Sequence, residues 1–116
     1  MDSVYIKTIG DMYALSTSER AHAFLISAGF NITKECKDSA VTVISAVPGR
    51  GIIEKVHAQV EECNEAGSKI VFIGPIVTEL PKKYLGFCKV STDQLAVLPE
   101  IVEEALNDSI VSAIAQ

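Results

Sequence analysis

The sequence has 116 residues, 48% of them hydrophobic and 22% charged, the balance of one globular domain, which excludes collagen-like, low-complexity and disordered classes. Ten basic residues against fifteen acidic ones leave a net charge of -5 and a pI near 4.9, so the field around the protein repels nucleic-acid backbones and anionic lipids. No apolar run approaches the roughly 18 residues of a bilayer span, and the Met1-Asp2-Ser3 start shows neither a basic n-region nor an apolar h-region, so a soluble cytoplasmic protein with neither nucleic-acid nor membrane partners is expected.

Val4-Tyr5-Ile6-Lys7-Thr8-Ile9 reads as a short β-branched first strand, stopped by Gly10-Asp11. A helix is predicted from Ser16, where Ser16 and Glu19 have capping-box spacing and Ser18 offers an alternative cap. Ala21, Phe24, Leu25 and Ala28 then recur at helical spacing, and Gly29 closes the helix as a C′ glycine. Residues 30–38 read either as a polar edge strand or as a long connection. The nearly continuous apolar run at 40–47 suits a strand buried on both faces of a parallel sheet, and Pro48-Gly49-Arg50-Gly51 breaks it.

From Ile53, the residues Ile53, Val56, Val60 and Cys63 mark the inner face of a second helix ended by Gly67. Ile70-Val71-Phe72-Ile73 is the next buried strand, ended by Gly74-Pro75; a short turn or helix over 79–85 leads to a strand at 86–90. Ser91 with Gln94 repeats the capping spacing before a helix carrying Leu95, Leu98 and Val102, which Pro99 either kinks or restarts. Residues 109–114 read as a last strand in preference to a continuation of the helix. Strands alternating with helices imply a three-layer α/β sandwich of Rossmann or flavodoxin type, with a mainly parallel sheet of about five strands and right-handed crossovers.

Ligands of such sheets bind beyond the carboxyl ends of the strands, where the strand order reverses. The loops there nominate Gly10, Asp11, Pro48, Gly49, Arg50, Gly51, Gly74, Pro75, Thr78 and Ser91 as ligand-binding residues. Pro48-Gly49-Arg50-Gly51 is the most informative, because it joins a buried strand to a helix N-terminus and brings a guanidinium, the elements of a phosphate or carboxylate cradle. It matches neither GxGxxG nor a Walker A loop, and a tight βα turn without a ligand is the competing reading.

Catalytic chemistry is harder to place. Asp11 lacks the second acid that a phosphoacceptor site needs, no Gly-x-Ser-x-Gly elbow is present, and His22 and His57 stand apart without metal-ligand spacing, as surface or boundary residues. Of the three cysteines, which form no disulfide framework, Cys63 and Cys88 read as core residues. Cys36, between Glu35 and Lys37, reads as the one candidate for a reactive thiol. No metal, cofactor or catalytic residue is assigned. Five acids beyond residue 90 face no Lys or Arg and read as a solvated acidic face.

The order of elements resembles the DsrE/TusD-type sulfur-relay family. The resemblance is one of layout and spans the strands at 4–9, 41–47, 69–74 and 86–90, the helices between them, and the closing Asn107-Asp108-Ser109-Ile110-Val111-Ser112. It implies a small α/β protein that assembles into homo-oligomers. Members that carry sulfur do so on a cysteine in the loop after the strand corresponding to 70–73; here that loop reads Gly74-Pro75-Ile76-Val77-Thr78, so the sulfur-carrying activity is not transferred.

The leading expectation is a domain that binds a small anionic ligand, a nucleotide or a phosphate or carboxylate compound, over 48–51 and 74–78, in a homo-oligomer. Its rival is a non-catalytic oligomeric interaction or regulatory protein using the acidic C-terminal region or exposed residues around Tyr84-Leu85. A third reading is a thiol or sulfur carrier using Cys36.

Overall fold

The computed structural model describes residues 2–107. Its elements are β1 (Ser3–Ile9), α1 (Met12–Ser27), β2 (Asn31–Thr33), β3 (Val41–Ala46), α2 (Ile52–Ala66), β4 (Lys69–Ile73), β5 (Cys88–Val90) and α3 (Leu98–Leu106). Short 3-10 turns at Cys36–Asp38, Pro75–Thr78, Lys82–Tyr84 and Thr92–Val97 fill the connections. The five strands form one sheet in the order β2-β1-β3-β4-β5, and every pairing is parallel. Travel toward β2 and travel toward β5 run in opposite directions, so right-handed crossovers place the connecting segments on opposite faces. The result is the expected three-layer α/β sandwich of Rossmann or flavodoxin type.

The central strands follow from their composition. All six residues of β3 are buried, as are Ile70, Val71, Phe72 and Ile73 of β4, because helices or turns cover both faces. Side-chain alternation divides them: Val43, Val71 and Ile73 join Leu25, Leu98 and Val102 on the α1 and α3 side, while Ile44, Ala46, Ile70 and Phe72 join Val56, Val60 and Cys63 on the α2 side. α2 buries Val56, Val60 and Cys63 of the stripe predicted for it, with Ile52 buried where Ile53 was expected and Ile53 only half-buried, and Gly67 ends it at φ 79°.

Several boundaries differ from the sequence reading. α1 begins at Met12 rather than at Ser16, because Asp11 is the N-cap: its side chain accepts the Tyr13 amide at 2.9 Å. Ser18 is no cap either; it is buried and hydrogen-bonded to Thr8 Oγ1 at 2.6 Å. Residues 30–38 contain both alternatives, a three-residue edge strand (β2) and then a turn. Thr92–Val97 is a 3-10 segment, and Pro99 sits in the first turn of α3, a restart and not a kink. The strand expected at 109–114 lies outside the described residues.

Candidate functional site

In this strand order the chain leaves β1 toward β2 on one side and resumes at β3 on the other, so the topological switch point lies between the carboxyl ends of β1 and β3. All ten residues nominated from the sequence follow the carboxyl end of a strand: Gly10 and Asp11 after β1, Pro48, Gly49, Arg50 and Gly51 after β3, Gly74, Pro75 and Thr78 after β4, and Ser91 after β5. They share one end of the sheet, but their local roles differ.

Gly10 and Gly74 hold the strand ends together. A Cβ on Gly10 would lie 3.0 Å from Val47 Cγ2, so the turn after β1 packs directly on the one after β3. Gly74 is buried at φ 89°, ψ -169°, a conformation essentially restricted to glycine, and a Cβ there would lie 3.2 Å from the Ala46 carbonyl oxygen. Its amide donates to the Val90 carbonyl at 3.2 Å, tying the end of β4 to β5. Asp11, Thr78 and Ser91 are engaged locally. Asp11 caps α1, Thr78 Oγ1 donates to the Pro75 carbonyl at 3.1 Å, and Ser91 Oγ donates to Asp93 Oδ1 at 2.7 Å.

The loop 48–51 is different. Pro48, Gly49, Arg50 and Gly51 are all exposed. Gly51 is the N-cap of α2 at φ 75° and has no side chain with which to accept from the first amides of that helix. Glu54 in the first turn is the acid that complements the helix dipole there. Among the described residues Arg50 has no carboxylate within ion-pair distance; the ion pair they contain is Lys37 with Glu35 at 3.4 Å.

Two cavities open near this end of the sheet, and their walls include residues that sequence reasoning missed. One, of about 450 Å³, lies between β1 and α2, with Lys7 and Gly10 on one wall and Lys55, Gln59 and Glu62 on the other. The other, of about 360 Å³, lies between the first turns of α1 and Thr92, and Tyr13 and Arg20 line it. The signal for the first was the alternation of β1, which puts Lys7 on the same face as the core residues Tyr5 and Ile9. The second follows from the true start of α1, which exposes Met12 and Tyr13 and buries Thr17.

Cys36 departs from its expected setting. It is buried, its Sγ donates to Glu62 Oε2 at 3.3 Å, and burial, then that hydrogen bond, then nearby Cys63 push the thiol up to about 11. Each of these influences favours the protonated form, the opposite of what activates a nucleophilic cysteine. Tyr84, expected on the surface beside Leu85, is also buried; its ring packs on Phe72 at 5.3 Å and Phe87 at 5.1 Å, and its hydroxyl hydrogen-bonds His57 Nδ1. Burial, and then the charge of Glu61, raise its pKa. Leu85 does stand exposed. Lys89 Nζ fastens the same segment, donating to the carbonyls of Tyr84, Leu85 and Phe87 at 2.7, 3.0 and 2.9 Å.

Among the described residues, no group of three or more His, Cys, Asp or Glu side chains is arranged to hold a metal ion, and no helix is long and apolar enough to cross a membrane. Comparison of the chain with protein-family models and with curated proteins finds no match to either.

Proposed function

We propose that this chain is a small-molecule-binding α/β domain, cytoplasmic and self-associating, that takes a phosphate- or carboxylate-bearing ligand at the carboxyl end of its sheet. The observation that carries the reading is the start of α2: a 15-residue helix that opens at the switch point with no side chain capping it, next to an exposed Arg50 that has no ion-pair partner among the described residues. Backbone amides at a helix N-terminus together with a guanidinium favour an anion through both hydrogen bonding and the helix dipole.

The test is a thermal-shift screen of the protein against nucleotides, phosphate esters and carboxylates, with and without Arg50→Ala. A ligand at a hundred times its dissociation constant stabilises the native state by about 2.7 kcal/mol. The shift is expected to vanish in Arg50→Ala while the ligand-free protein keeps its stability, since Arg50 is exposed and makes no ion pair among the described residues. A shift that survives the substitution removes Arg50 as the anchor.

A flat screen transfers the weight to the second reading, an oligomeric interaction protein. That reading draws support from the exposed apolar side chains of Met12 (83% exposed) and Tyr13 (69%) at the start of α1, and of Leu85 (80%) before β5.

A further inference from the structure

A crossover between parallel strands usually needs a dozen or more residues and carries a helix over the sheet. Here the passage from β2 to β3 takes only residues 34–40 and contains one 3-10 turn, Cys36–Asp38, which the three-residue length of β2 allows. α2 therefore has no helical neighbour on its β1 side among the described residues, and the space beside it is the cavity of about 450 Å³. That volume lies within the range of small-ligand sites, about 300–1,000 Å³.

The walls carry specific chemistry. Lys7 comes from a core-facing position of β1 and Lys55 from α2, so two ammonium groups of like charge line one cavity. Neither has a carboxylate within ion-pair distance among the described residues. Lys7 is half-buried and Lys55 exposed, and an anion between the two would relieve the repulsion of both charges. The far wall offers an acceptor. Glu62 receives the Cys36 thiol at 3.3 Å and the Gln59 amide at 3.1 Å, both on Oε2, which leaves Oε1 for a donor from a ligand. Gln59 is itself buried, and its amide also donates to Cys63 Sγ at 3.5 Å, so the carboxylate is held in place from beneath.

We propose that this groove binds a small molecule with an anionic group at one end and hydroxyl donors at the other, the chemistry of a sugar phosphate. The inference rests on the reading of the chain as an anion-binding domain, and it assigns Lys7 and Lys55 to the anionic group and Glu62 to the hydroxyls.

Isothermal titration of the full chain with ribose 5-phosphate, inorganic phosphate and ribose tests it. Ribose 5-phosphate is expected to bind at least about tenfold more tightly than phosphate, since it adds charge-assisted hydrogen bonds to Glu62, and ribose alone is expected to give no measurable heat. Lys7→Gln and Lys55→Gln are each expected to weaken ribose 5-phosphate about tenfold. Glu62→Leu separates the two ends of the site: it lowers the affinity for ribose 5-phosphate toward that of phosphate, while phosphate itself binds as before or more tightly once the negative charge is gone. Circular dichroism and the melting midpoint of each ligand-free variant identify any that fails to fold, and the lysine and glutamate variants serve as independent checks on one another.

Unchanged affinity in the Lys7→Gln, Lys55→Gln double variant overturns the groove. If Arg50→Ala still abolishes binding in that case, the wider anion-binding reading stands without it. Absence of binding by ribose 5-phosphate and phosphate to the wild-type chain also overturns the groove, and the ligand screen with Arg50→Ala then decides the wider reading separately.

Discussion

Beneath α1 and α3 the buried core is mainly aliphatic, Val4, Leu25, Val43, Val71, Leu98 and Val102 among them, with Phe30 and the buried hydroxyls of Ser18 and Ser45, whereas beneath α2 the aliphatic residues are joined by Phe72, Tyr84, Cys36 and Cys63. The first face is covered by two helices in contact with one another. The second has one helix, with short 3-10 turns on either side of it. A turn buries less apolar surface than a helix and leaves more backbone groups to satisfy, so that face relies on specific polar bonds. Ser39, Thr42 and Ser68 form a buried hydroxyl cluster, with Ser68 at 2.9 Å from Ser39 and 2.8 Å from Thr42, and Lys89 holds three carbonyls of the segment before β5. Hydrophobic burial is thus shared by both faces, while the stacked rings, the buried thiols Cys36 and Cys63 and the groove lie on the α2 side.

The comparison breaks if the two faces respond alike to truncation. The largest effect is expected for Leu98→Ala, which empties a fully buried position between α3 and the sheet and should cost about 3 kcal/mol in urea unfolding. A loss near zero would mean that α3 contributes no packing energy.

Tyr84→Phe on the opposite face keeps the ring stacking and removes only the bond to His57, so about 1 kcal/mol is expected by the same measurement. A cost of about 3 kcal/mol would show that the hydroxyl bond to His57 carries as much stability as a buried leucine side chain.

The smallest effect concerns Cys36. Its native pKa is raised above the unfolded value, so between pH 9.0 and about 11 the native state binds more protons than the unfolded state. The contribution of this thiol is therefore present at neutral pH and is lost as pH rises through that window. Alkylation of Cys36 by iodoacetamide, followed by peptide mass mapping, should be slow in the native protein at neutral pH, fast in urea, and should accelerate above pH 9.0 without urea. Rapid native labelling at neutral pH would restore Cys36 as a reactive thiol.

The parts of the fold legible in the sequence are those where periodicity and burial agree. α2 presents Val56, Val60 and Cys63 inward and Glu54, Lys55, Glu61 and Glu65 outward, and the β3 and β4 runs are apolar because both faces are covered. The first turns of α1 invert the rule: Met12, Tyr13 and Leu15 are exposed, while Thr17 and Ser18 are buried. Thr17 satisfies its hydroxyl on the Tyr13 carbonyl at 3.1 Å and Ser18 on Thr8, which is how polar groups tolerate the interior. No amphipathic pattern could therefore locate that start.

At the site, strand-end loops were readable because glycine and proline mark them, and the end of the sheet they occupy followed from the parallel topology. The groove walls were not, since Lys7 and Glu62 meet only through tertiary packing. The setting of Cys36 was missed for a related reason. Its sequence neighbours Glu35, Lys37 and Asp38 are exposed while the cysteine alone turns inward, and a polar local composition hides a single buried residue.

Both edges of the described sheet are three-residue strands, Asn31–Thr33 and Cys88–Val90. An incoming strand would find at either edge a ladder only a few hydrogen bonds long, too short a template for edge-to-edge aggregation or for recruiting a peptide by strand addition. Among the described residues, the same brevity favours contact between two copies through side-chain surfaces over extension of one sheet into the next.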